Sequence, residues 1–373
     1  MVDAPNDTLS VESRALLALW AVPGLGPRAM ELLGERYAKG FAPLLHLPVG
    51  EWVEEAPLSE PVRALLRPVR TLERVAARVL ERCEETGIRL AFKGQPAYPE
   101  LLGGVADAPP LLFYRGTPLA PRRRIAMVGS RHPEQGFLPF ARAFARQVAE
   151  EGVGIVSGAA VGVDRACHLG ALDAHAETWA FVGSALDQLD PAQSQLAPAL
   201  LEGGGMLFSE LPPGVRASKS SFPRRNRLIS GASDAVLVLR AGKKSGSLHT
   251  AEAALKQGRS VLALPGDVRN ATAEGCNELI FQGRARLCRG KEDVWTAIGA
   301  KVGIAVPPGD GAVLEGVSAE AKAAYQMLER VPRGYDEVLV RSRLSPAALS
   351  SALSELELNG LAVQLPGRLY ERV

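Results

Sequence analysis

The sequence of 373 residues lacks several features that mark specialised classes of protein. It contains four cysteines, which have neither the paired spacing of a zinc site nor the density of a disulfide framework. Its 43 basic and 41 acidic residues leave a formal net charge of +2, so any affinity for an anion must be local. These absences favour a globular protein of a reducing compartment.

The sequence also lacks any apolar run that approaches the length of a membrane span. Its polar, acidic first residues have neither the basic start nor the apolar core of a signal peptide. We therefore expect a cytoplasmic protein without a membrane partner. The five histidines are dispersed, so we expect no metal site, and no motif calls for a cofactor.

The sequence pattern changes along the chain and divides it into four segments. Residues 1–87 repeat apolar positions at helical spacing, which predicts a helical module similar to a helix-hairpin-helix or SAM-like domain. Residues 88–299 alternate β-branched runs with helical segments, the pattern of a Rossmann-like, doubly wound α/β domain. Residues 300–316 are rich in proline and glycine and suit a linker. In 317–373 three helical segments precede two short strands, the order of a winged helix.

Positive charge is concentrated in the segment 219–244, which holds seven cations and a single anion, Asp234. The cations are Lys219, Arg224, Arg225, Arg227, Arg240, Lys243 and Lys244. Directly after the lysines, Ser245, Gly246 and Ser247 precede a predicted helix. The hydroxyls and free backbone N–H groups of such a turn can bind an anion.

A predicted strand, DAVLVL, separates the arginines of this segment from its lysines. If the two groups lie at opposite ends of that strand, about 17 Å separates them. A long polyanion can bridge that distance, whereas a single phosphate cannot. The alternative interpretation is a solvated basic loop. Phe222 and Pro223 disfavour this alternative, because they are expected to fix the segment in place.

A second candidate anion site follows the predicted strand IAMV. Gly129, Ser130 and Arg131 come at the carboxyl end of this strand, where ligands of parallel sheets bind. The arginine can add a bidentate phosphate contact, or it only caps a loop. The turn does not match the GxGxxG fingerprint, so a dinucleotide cofactor is not expected.

Two further motifs allow a functional and a structural interpretation. The Gly-x-Gly turn within residues 22–33 can face a DNA phosphate, or it is only a tight turn between helices. Asp164 can cap a helix, and His168 follows one helical turn later. The two can form an acid–base pair or a structural one, and no nearby nucleophile completes a catalytic triad. Asn277 is interpreted as a cap or turn residue.

The ordered motifs over residues 96–285 resemble those of the DNA-processing protein A family (DprA, also called Smf). They are AYPELL, PPLLFYRG, IAMVGSR, IVSGAAVGVD, FPRRNRLISG, KSGSLHTAEAALKQGR, VLALPG and GCNELI. The resemblance implies a non-enzymatic, dimeric protein that binds single-stranded DNA. It also implies that the protein protects incoming DNA and loads the recombinase RecA in natural transformation, during competence.

The resemblance also implies which residues contact DNA. Arg131 of the Gly-Ser-Arg turn is expected to hold a phosphate. The motifs FPRRNR and KSGS match residue by residue at Arg224, Arg225, Asn226, Arg227, Lys244, Ser245, Gly246 and Ser247. Three departures matter. The family's GID segment followed by Ala-His appears here as GVDRACH, which keeps Gly162, Asp164 and His168. Arg240 replaces a usual acidic residue and makes this rim more basic than expected, and from the sequence it either joins the DNA path or pairs with an acidic neighbour. Asp187 and Asp190 stand in a loop that often carries a basic residue, which disfavours a phosphate contact there.

Two other functions remain open from the sequence. Gly246 and Glu252 superficially fit a Rossmann-like nucleotide phosphoribohydrolase, which uses a glycine-rich turn and a glutamate in the first turns of a helix. A regulator would contact duplex DNA through the winged helix, whose predicted recognition helix SPAALSSALSEL is nearly free of basic residues. Four arginines flank that helix and could supply the contacts to duplex phosphates: Arg341, Arg343, Arg368 and Arg372. A protein-docking or structural role is the alternative for this domain.

Overall fold

The computed structural model describes residues 9–22, 25–117, 123–218, 220–299, 317–328, 333–342, 344–359, 361–365 and 369–372. The chain divides into two compact units, Met1–Lys301 and Val302–Val373. The predicted linker 300–316 lies outside the described residues, and the predicted boundary between residues 87 and 88 stays a prediction.

A nine-stranded sheet organises the larger unit. Its strands are β1 (Arg89–Phe92), β2 (Leu111–Arg115), β3 (Arg124–Gly129), β4 (Gly154–Ser157), β5 (Thr178–Val182), β6 (Met206–Ser209), β7 (Ala235–Arg240), β8 (Ser260–Ala263) and β9 (Arg286–Leu287). They are arranged in the order β1-β2-β6-β5-β4-β3-β7-β8-β9. Strands β3 to β9 pair in parallel, while β1 and β2 add antiparallel pairs at one edge.

Helices cover both faces of this sheet. They are α6 (Glu100–Gly103), α7 (Phe137–Ala149), α8 (Val163–Asp173), α9 (Pro191–Glu202), α10 (Ser221–Gly231), α11 (Leu248–Lys256), α12 (Glu274–Phe281) and α13 (Lys291–Ala297). Strand β3 shows why its sequence is apolar at successive positions. Ile125 and Met127 belong to the core on one face, and Ala126 and Val128 to the core on the other. The predicted doubly wound α/β fold is confirmed.

The direction of chain growth reverses at β3. Strands β4, β5 and β6 are added on one side of it, and the chain then returns to place β7 on the other side. The loops after β3 and β7 therefore leave in different directions. This opens a crevice at the carboxyl edge of the sheet, which is where doubly wound proteins bind ligands.

The helices before the sheet are α1 (Val11–Ala21), α2 (Pro27–Arg36), α3 (Val49–Trp52), α4 (Glu60–Leu66) and α5 (Leu72–Thr86), with a 3-10 helix at Ala42–Leu44. Gly87 ends α5 with a φ of 63°, a left-handed conformation that glycine adopts without strain. Leu17 and Leu33 are fully buried in one apolar cluster with Leu90 and Phe113 of the sheet. The predicted helical region is confirmed, and it shares a core with the sheet.

The smaller unit is the predicted winged helix. Its elements are α14 (Ala319–Met327), β10 (Arg333–Gly334), α15 (Tyr335–Ser342), α16 (Pro346–Leu358), β11 (Ala362–Leu365) and β12 (Leu369–Arg372). The strands form an antiparallel sheet in the order β10-β12-β11. Leu349, Leu353 and Leu356 of α16 pack with Tyr325 and Val338 in its core. Across the described residues of both units, no helix has the length and apolar character needed to cross a membrane.

Candidate nucleic-acid interface

A cavity of about 610 Å³ lies at the carboxyl edge of the sheet, where the chain order reverses. We call it the switch-point cavity. Its walls come from the turn after β3, the start of α8, the first turns of α10, the segment 242–250 and the loop after β8. Most of the predicted site residues line it: Gly129, Ser130, Arg131, Arg225, Asn226, Lys243, Lys244, Ser245, Gly246 and Ser247.

The two basic groups do not lie at opposite ends of strand β7, so the conditional separation of about 17 Å does not apply. Residues 221–231 form helix α10, which starts at the carboxyl edge and returns the chain to the start of β7. The beginning of α10 and the turn after β7 therefore meet at the same edge. Arg225 and Lys244 line one cavity rather than opposite rims.

The last residue of β3, Gly129, has no room for a side chain. A Cβ on Gly129 would lie 2.8 Å from the Cβ of Val163 and 2.9 Å from the carbonyl oxygen of Arg240. The backbone N–H of Ser130 donates to the same Arg240 carbonyl at 2.7 Å, which ties the turn to β7. Glycine is therefore required for this close approach.

Arg131 is the most available cation of this turn. Its side chain is exposed, and its guanidinium carbon lies 5.2 Å from the ring centroid of Phe222. An arginine over an aromatic face is held in place while its N–H groups stay available. Among the described residues, no carboxylate forms an ion pair with Arg131, so the guanidinium can contact an external anion.

Arg225 has a different environment, because it is buried beneath the cavity. Its guanidinium donates to the carbonyl oxygen of Gly158 at 2.5 Å and to that of Phe181. Burial, the largest effect, lowers the pKa of Arg225 to about 10, while the charge of Asp164 opposes this change. The side chain therefore remains a cation at neutral pH and joins the ends of β4 and β5.

Asp164 faces Arg225 beneath the same floor. Its carboxylate accepts from the backbone N–H of Gly158 at 3.2 Å and of Gly129 at 3.4 Å. A Cβ on Gly158 would lie 2.5 Å from the Arg225 guanidinium and 2.7 Å from this carboxylate, so glycine makes room for the pair. The predicted capping role of Asp164 is wrong: the N-cap of α8 is Gly162, and Asp164 holds two loops instead.

His168 is fully buried, and the structure favours its structural interpretation. Its Nδ1 lies 2.7 Å from the hydroxyl oxygen of Thr178, which donates to the carbonyl of Ile155 at 3.0 Å. Burial, followed by the positive charge of Arg225, lowers the pKa of His168 to about 3. The imidazole is therefore neutral at physiological pH and does not line the cavity.

Asn226 and the serines shape the other wall of the cavity. The side-chain amide of Asn226 donates to the carbonyl oxygen of Gly246 at 3.1 Å, which fixes the turn 243–247 to helix α10. The hydroxyl oxygens of Ser245 and Ser247 are 2.8 Å apart. Lys243 pairs with Glu274 at 3.1 Å, and this hydrogen bond raises the pKa of the lysine.

Lys244 differs from its neighbour Lys243, because no described carboxylate forms an ion pair with it. Two predicted site residues, Arg224 and Arg227, do not line the switch-point cavity. Arg227 pairs with Glu210 and, at 3.3 Å, with Asp107. Arg224 is exposed and lines a separate apolar groove beside the N-terminal helices.

Of the two roles that the sequence left open for Arg240, the structure shows pairing with an acidic neighbour, so the more basic rim is not formed. The Arg240 side chain is buried, forms an ion pair with Glu134 at 3.0 Å and packs over the ring of Phe137, 4.1 Å from the centroid. The Glu134 carboxylate also accepts from the hydroxyl of Thr272 at 2.6 Å. Sequence reasoning missed Glu134 and Thr272. The available signal was an acidic residue three positions after the Gly-Ser-Arg turn.

The remaining acidic candidates lie outside the cavity wall. Asp187 pairs with Arg82 at 3.1 Å, and Asp190 accepts from the backbone of Gln193 at 2.9 Å as the N-cap of α9. Glu252 contacts His249 Nδ1 at 3.3 Å. None of these carboxylates lines the switch-point cavity. In the described part of the chain, no group of three or more His, Cys, Asp or Glu side chains could hold a metal ion.

Asn277 is also corrected by the structure. It lies inside α12 rather than at a cap or turn. Its side-chain oxygen accepts from the backbone N–H of Gly266 and its amide donates to the Gly266 carbonyl, both at 3.0 Å. This pair of bonds holds the loop after β8, which supplies Ala271 and Thr272 to the cavity wall.

Fold and cavity together define a class: a Rossmann-like protein with a cationic cavity at the switch point of its sheet, joined to a winged helix. The chain belongs to the DNA recombination-mediator protein A family, whose sequence model matches residues 89–299. The DprA winged helix domain matches residues 308–368. The family resemblance carried by the motifs is thereby confirmed.

Individual relatives agree with this assignment. Protein Smf of Escherichia coli (strain K12) is 43% identical over 188 residues, which are 50% of this chain and 50% of that protein. The chain therefore spans about half the length of this relative. DNA processing protein DprA of Streptococcus pneumoniae is 38% identical over 199 residues, 53% of this chain and 70% of the relative.

Solved structures show the same fold. The X-ray structure of DNA processing protein A from Streptococcus pneumoniae has a TM-score of 0.63 and 29% identity, covering 77% of this chain and 98% of that chain. A structure of DNA processing protein A from Helicobacter pylori, described for its single-stranded DNA binding mode, has a TM-score of 0.50 and 27% identity. It covers 56% of this chain and 94% of that chain.

Proposed function

We propose that this chain binds single-stranded DNA in the switch-point cavity, protects incoming DNA and loads RecA on it in natural transformation. The observation that carries the proposal is the charge of the cavity. Arg131 and Lys244 lie in its wall without a carboxylate partner among the described residues. The single carboxylate of the described lining, Asp164, is buried against Arg225. The wall therefore attracts a polyanion.

The contacts available to DNA are with the backbone rather than with base edges. Cationic side chains, hydroxyls and glycine-rich turns fit phosphate oxygens, and phosphate contacts position a strand without selecting its sequence. A single strand can bend into a crevice of this size. A duplex, with a persistence length of about 50 nm, resists such bending and enters the crevice less readily. We therefore propose sequence-independent binding that prefers single strands and weakens with salt.

Fluorescence anisotropy of a labelled oligonucleotide tests this proposal. Single-stranded and duplex forms are titrated across a salt series with the wild type and with Arg131→Ala. We expect tighter single-strand binding, and a variant that weakens all sequences equally and reduces the salt slope by about 1. Arg78→Ala, an exposed arginine of α5 outside the cavity, serves as the control.

Weak binding that Arg131→Ala leaves unchanged would contradict the proposal, and so would a change of sequence preference in that variant. The alternative enzyme is tested in parallel by base release from a nucleoside monophosphate. Steady turnover abolished by Glu252→Gln would favour a nucleotide phosphoribohydrolase.

The partners of the proposed function are RecA and a second copy of the chain. RecA assembly is followed on single strands covered by a single-strand binding protein. We expect the wild type to shorten the delay before assembly and Arg131→Ala to have lost this effect. Light scattering of the free protein tests the proposed homodimer, which a monomeric mass would exclude.

A further inference from the structure

A second opening lies next to the switch-point cavity in the larger unit. It is an apolar groove of about 640 Å³ between the N-terminal helices and the loop that follows β6. Apolar side chains form most of its described wall, among them Leu25, Leu32, Leu58, Val62 and Val215. Its size lies within the range of small-molecule binding sites, about 300–1,000 Å³.

Two ionisable side chains belong to the described wall of the groove, Glu210 and Arg224. Glu210 is buried and pairs with Arg227, so its charge is neutralised locally. Arg224 is exposed, and within the described parts of the chain no carboxylate forms an ion pair with it. Burial raises the pKa of Glu210, and the positive charges of Arg227 and then of Arg224 oppose this change. The groove therefore combines an apolar wall with one available cation.

The groove and the switch-point cavity are separated only by the first turn of α10. Phe222, Pro223 and Arg225 line the cavity, whereas Arg224 lines the groove. Successive helical residues project about 100° apart, and their Cα atoms are about 3.8 Å from each other. One short turn of helix thus presents cations to two adjacent openings.

Gly26, the residue directly before α2, lies beside the same arginine. A Cβ on Gly26 would be 4.0 Å from a terminal nitrogen of Arg224. Gly26 itself lines the groove. Gly26, which belongs to a motif that can face a phosphate or only form a tight turn, therefore lies next to the available cation.

We infer that a single strand bound in the switch-point cavity continues across the first turn of α10 and places its next nucleotides in this groove. A phosphate contacts Arg224, and a base packs against the apolar wall. This chemistry fits because a nucleotide joins an anion to a flat ring with two apolar faces. The inference rests on the proposed function of the cavity.

The test compares oligothymidylates of about 6 and about 15 nucleotides, which bracket the site size of single-strand binding modules. Anisotropy is measured with the wild type, Arg224→Ala, Arg224→Lys and Arg78→Ala. We expect Arg224→Ala to weaken the longer strand roughly fivefold to tenfold and to leave the shorter one unchanged, as for loss of one phosphate contact. Arg224→Lys should retain most of the increase in affinity from the shorter to the longer strand. Arg78→Ala should retain all of this increase.

A second measurement tests the base. A strand of about 15 nucleotides, of which only the central ones carry bases, should bind the wild type more weakly than oligothymidylate of equal length, because its outer sugars cannot pack in the groove.

Three results would overturn the inference. The first is an Arg224→Ala variant whose increase in affinity from the shorter to the longer strand equals that of the wild type. The groove would then lie outside the path of the strand and would serve another ligand, such as an apolar protein segment. The second is an equal loss of affinity for the short and the long strand in this variant, which would mean that Arg224 acts on the cavity. The third is a wild type that binds neither strand. In that case the proposed function of the cavity fails, and the inference fails with it.

Discussion

Three neighbouring arginines show how strongly position in one helical turn determines a residue's role. Arg224 is exposed at the apolar groove, Arg225 is buried against Gly158 and Asp164, and Arg227 is held by acidic partners. The three project in different directions because a helix turns about 100° per residue. The same guanidinium group is therefore exposed at the groove in Arg224, joins strand ends in Arg225 and is paired with acidic residues in Arg227.

The pair formed by Arg240 and Glu134 is a residue-scale device that supports the cavity wall. A Cβ on Gly266 would lie 2.3 Å from the Arg240 guanidinium, so the glycine admits this side chain. Glu134 in turn binds Thr272, which lines the cavity. The loops after β3, β7 and β8 are thus joined through one partly buried ion pair.

A charge exchange tests this support. Arg240→Glu places two carboxylates together at a partly buried site and should destabilise the larger unit by about 3 kcal/mol, the lower end of the cost of breaking a buried pair, because the Glu134 side chain is 30% exposed. The double variant Glu134→Arg/Arg240→Glu should recover part of this loss, measured by thermal unfolding as a double-mutant cycle. Strictly additive losses in the cycle would mean that the two side chains do not support each other.

At the scale of elements, helix α16 occupies the recognition position of the winged helix without a basic surface. Its exposed residues include Ser350, Ser351, Ser354 and Leu358. Arg341 pairs with Glu337 at 3.2 Å. Arg343, Arg368 and the side chain of Arg372 lie outside the described residues. The described part of this unit therefore offers few contacts to duplex phosphates.

Deletion of residues 315–373 tests the role of this unit. We expect duplex binding and its salt slope to be unchanged, because phosphate contacts depend on available cations and α16 supplies none. Anisotropy with a duplex probe measures both. A loss of duplex affinity and a lower salt slope in the truncated chain would assign the winged helix to DNA and favour the regulator interpretation.

At the scale of the whole molecule, the N-terminal helices and the sheet share one apolar cluster. Trp20 also links them, since its indole N–H donates to the carbonyl oxygen of Glu210 at 2.9 Å. Removing the helices would expose side chains of the sheet that are now buried, including Leu90 and Phe113. Such a patch promotes aggregation.

We therefore predict that residues 88–299 alone are less stable than the full chain. Thermal unfolding should show a lower Tm, and size-exclusion chromatography should show aggregates, because the shared cluster is lost. The complete chain, compared in the same buffer, is the reference. If the shorter chain stays monodisperse and keeps the Tm of the full chain's larger unit, the predicted boundary after residue 87 separates independent domains.

The sequence by itself determined the elements and the fold class. Apolar runs such as Ile125–Val128 and the strand from Ala235 require burial on both faces, and helical periodicity between them requires a doubly wound sheet. It also determined the candidate cavity residues at the ends of β3 and β7, since ligands of parallel sheets bind there. These inferences use local patterns, which depend on neighbours in the chain.

Only the tertiary structure decided which cations are available. Arg225 donates to the carbonyl oxygen of Gly158, 67 positions away, and Glu134 binds Thr272, 138 positions away. Over such separations in the chain, sequence patterns carry no information about which residues pair. Arg224 faces the groove because α10 packs beside the N-terminal helices. Charge is a property of the residue, whereas burial and pairing are properties of the packed chain. The basic segment could therefore be recognised from the sequence, but the roles of its individual residues could not be assigned.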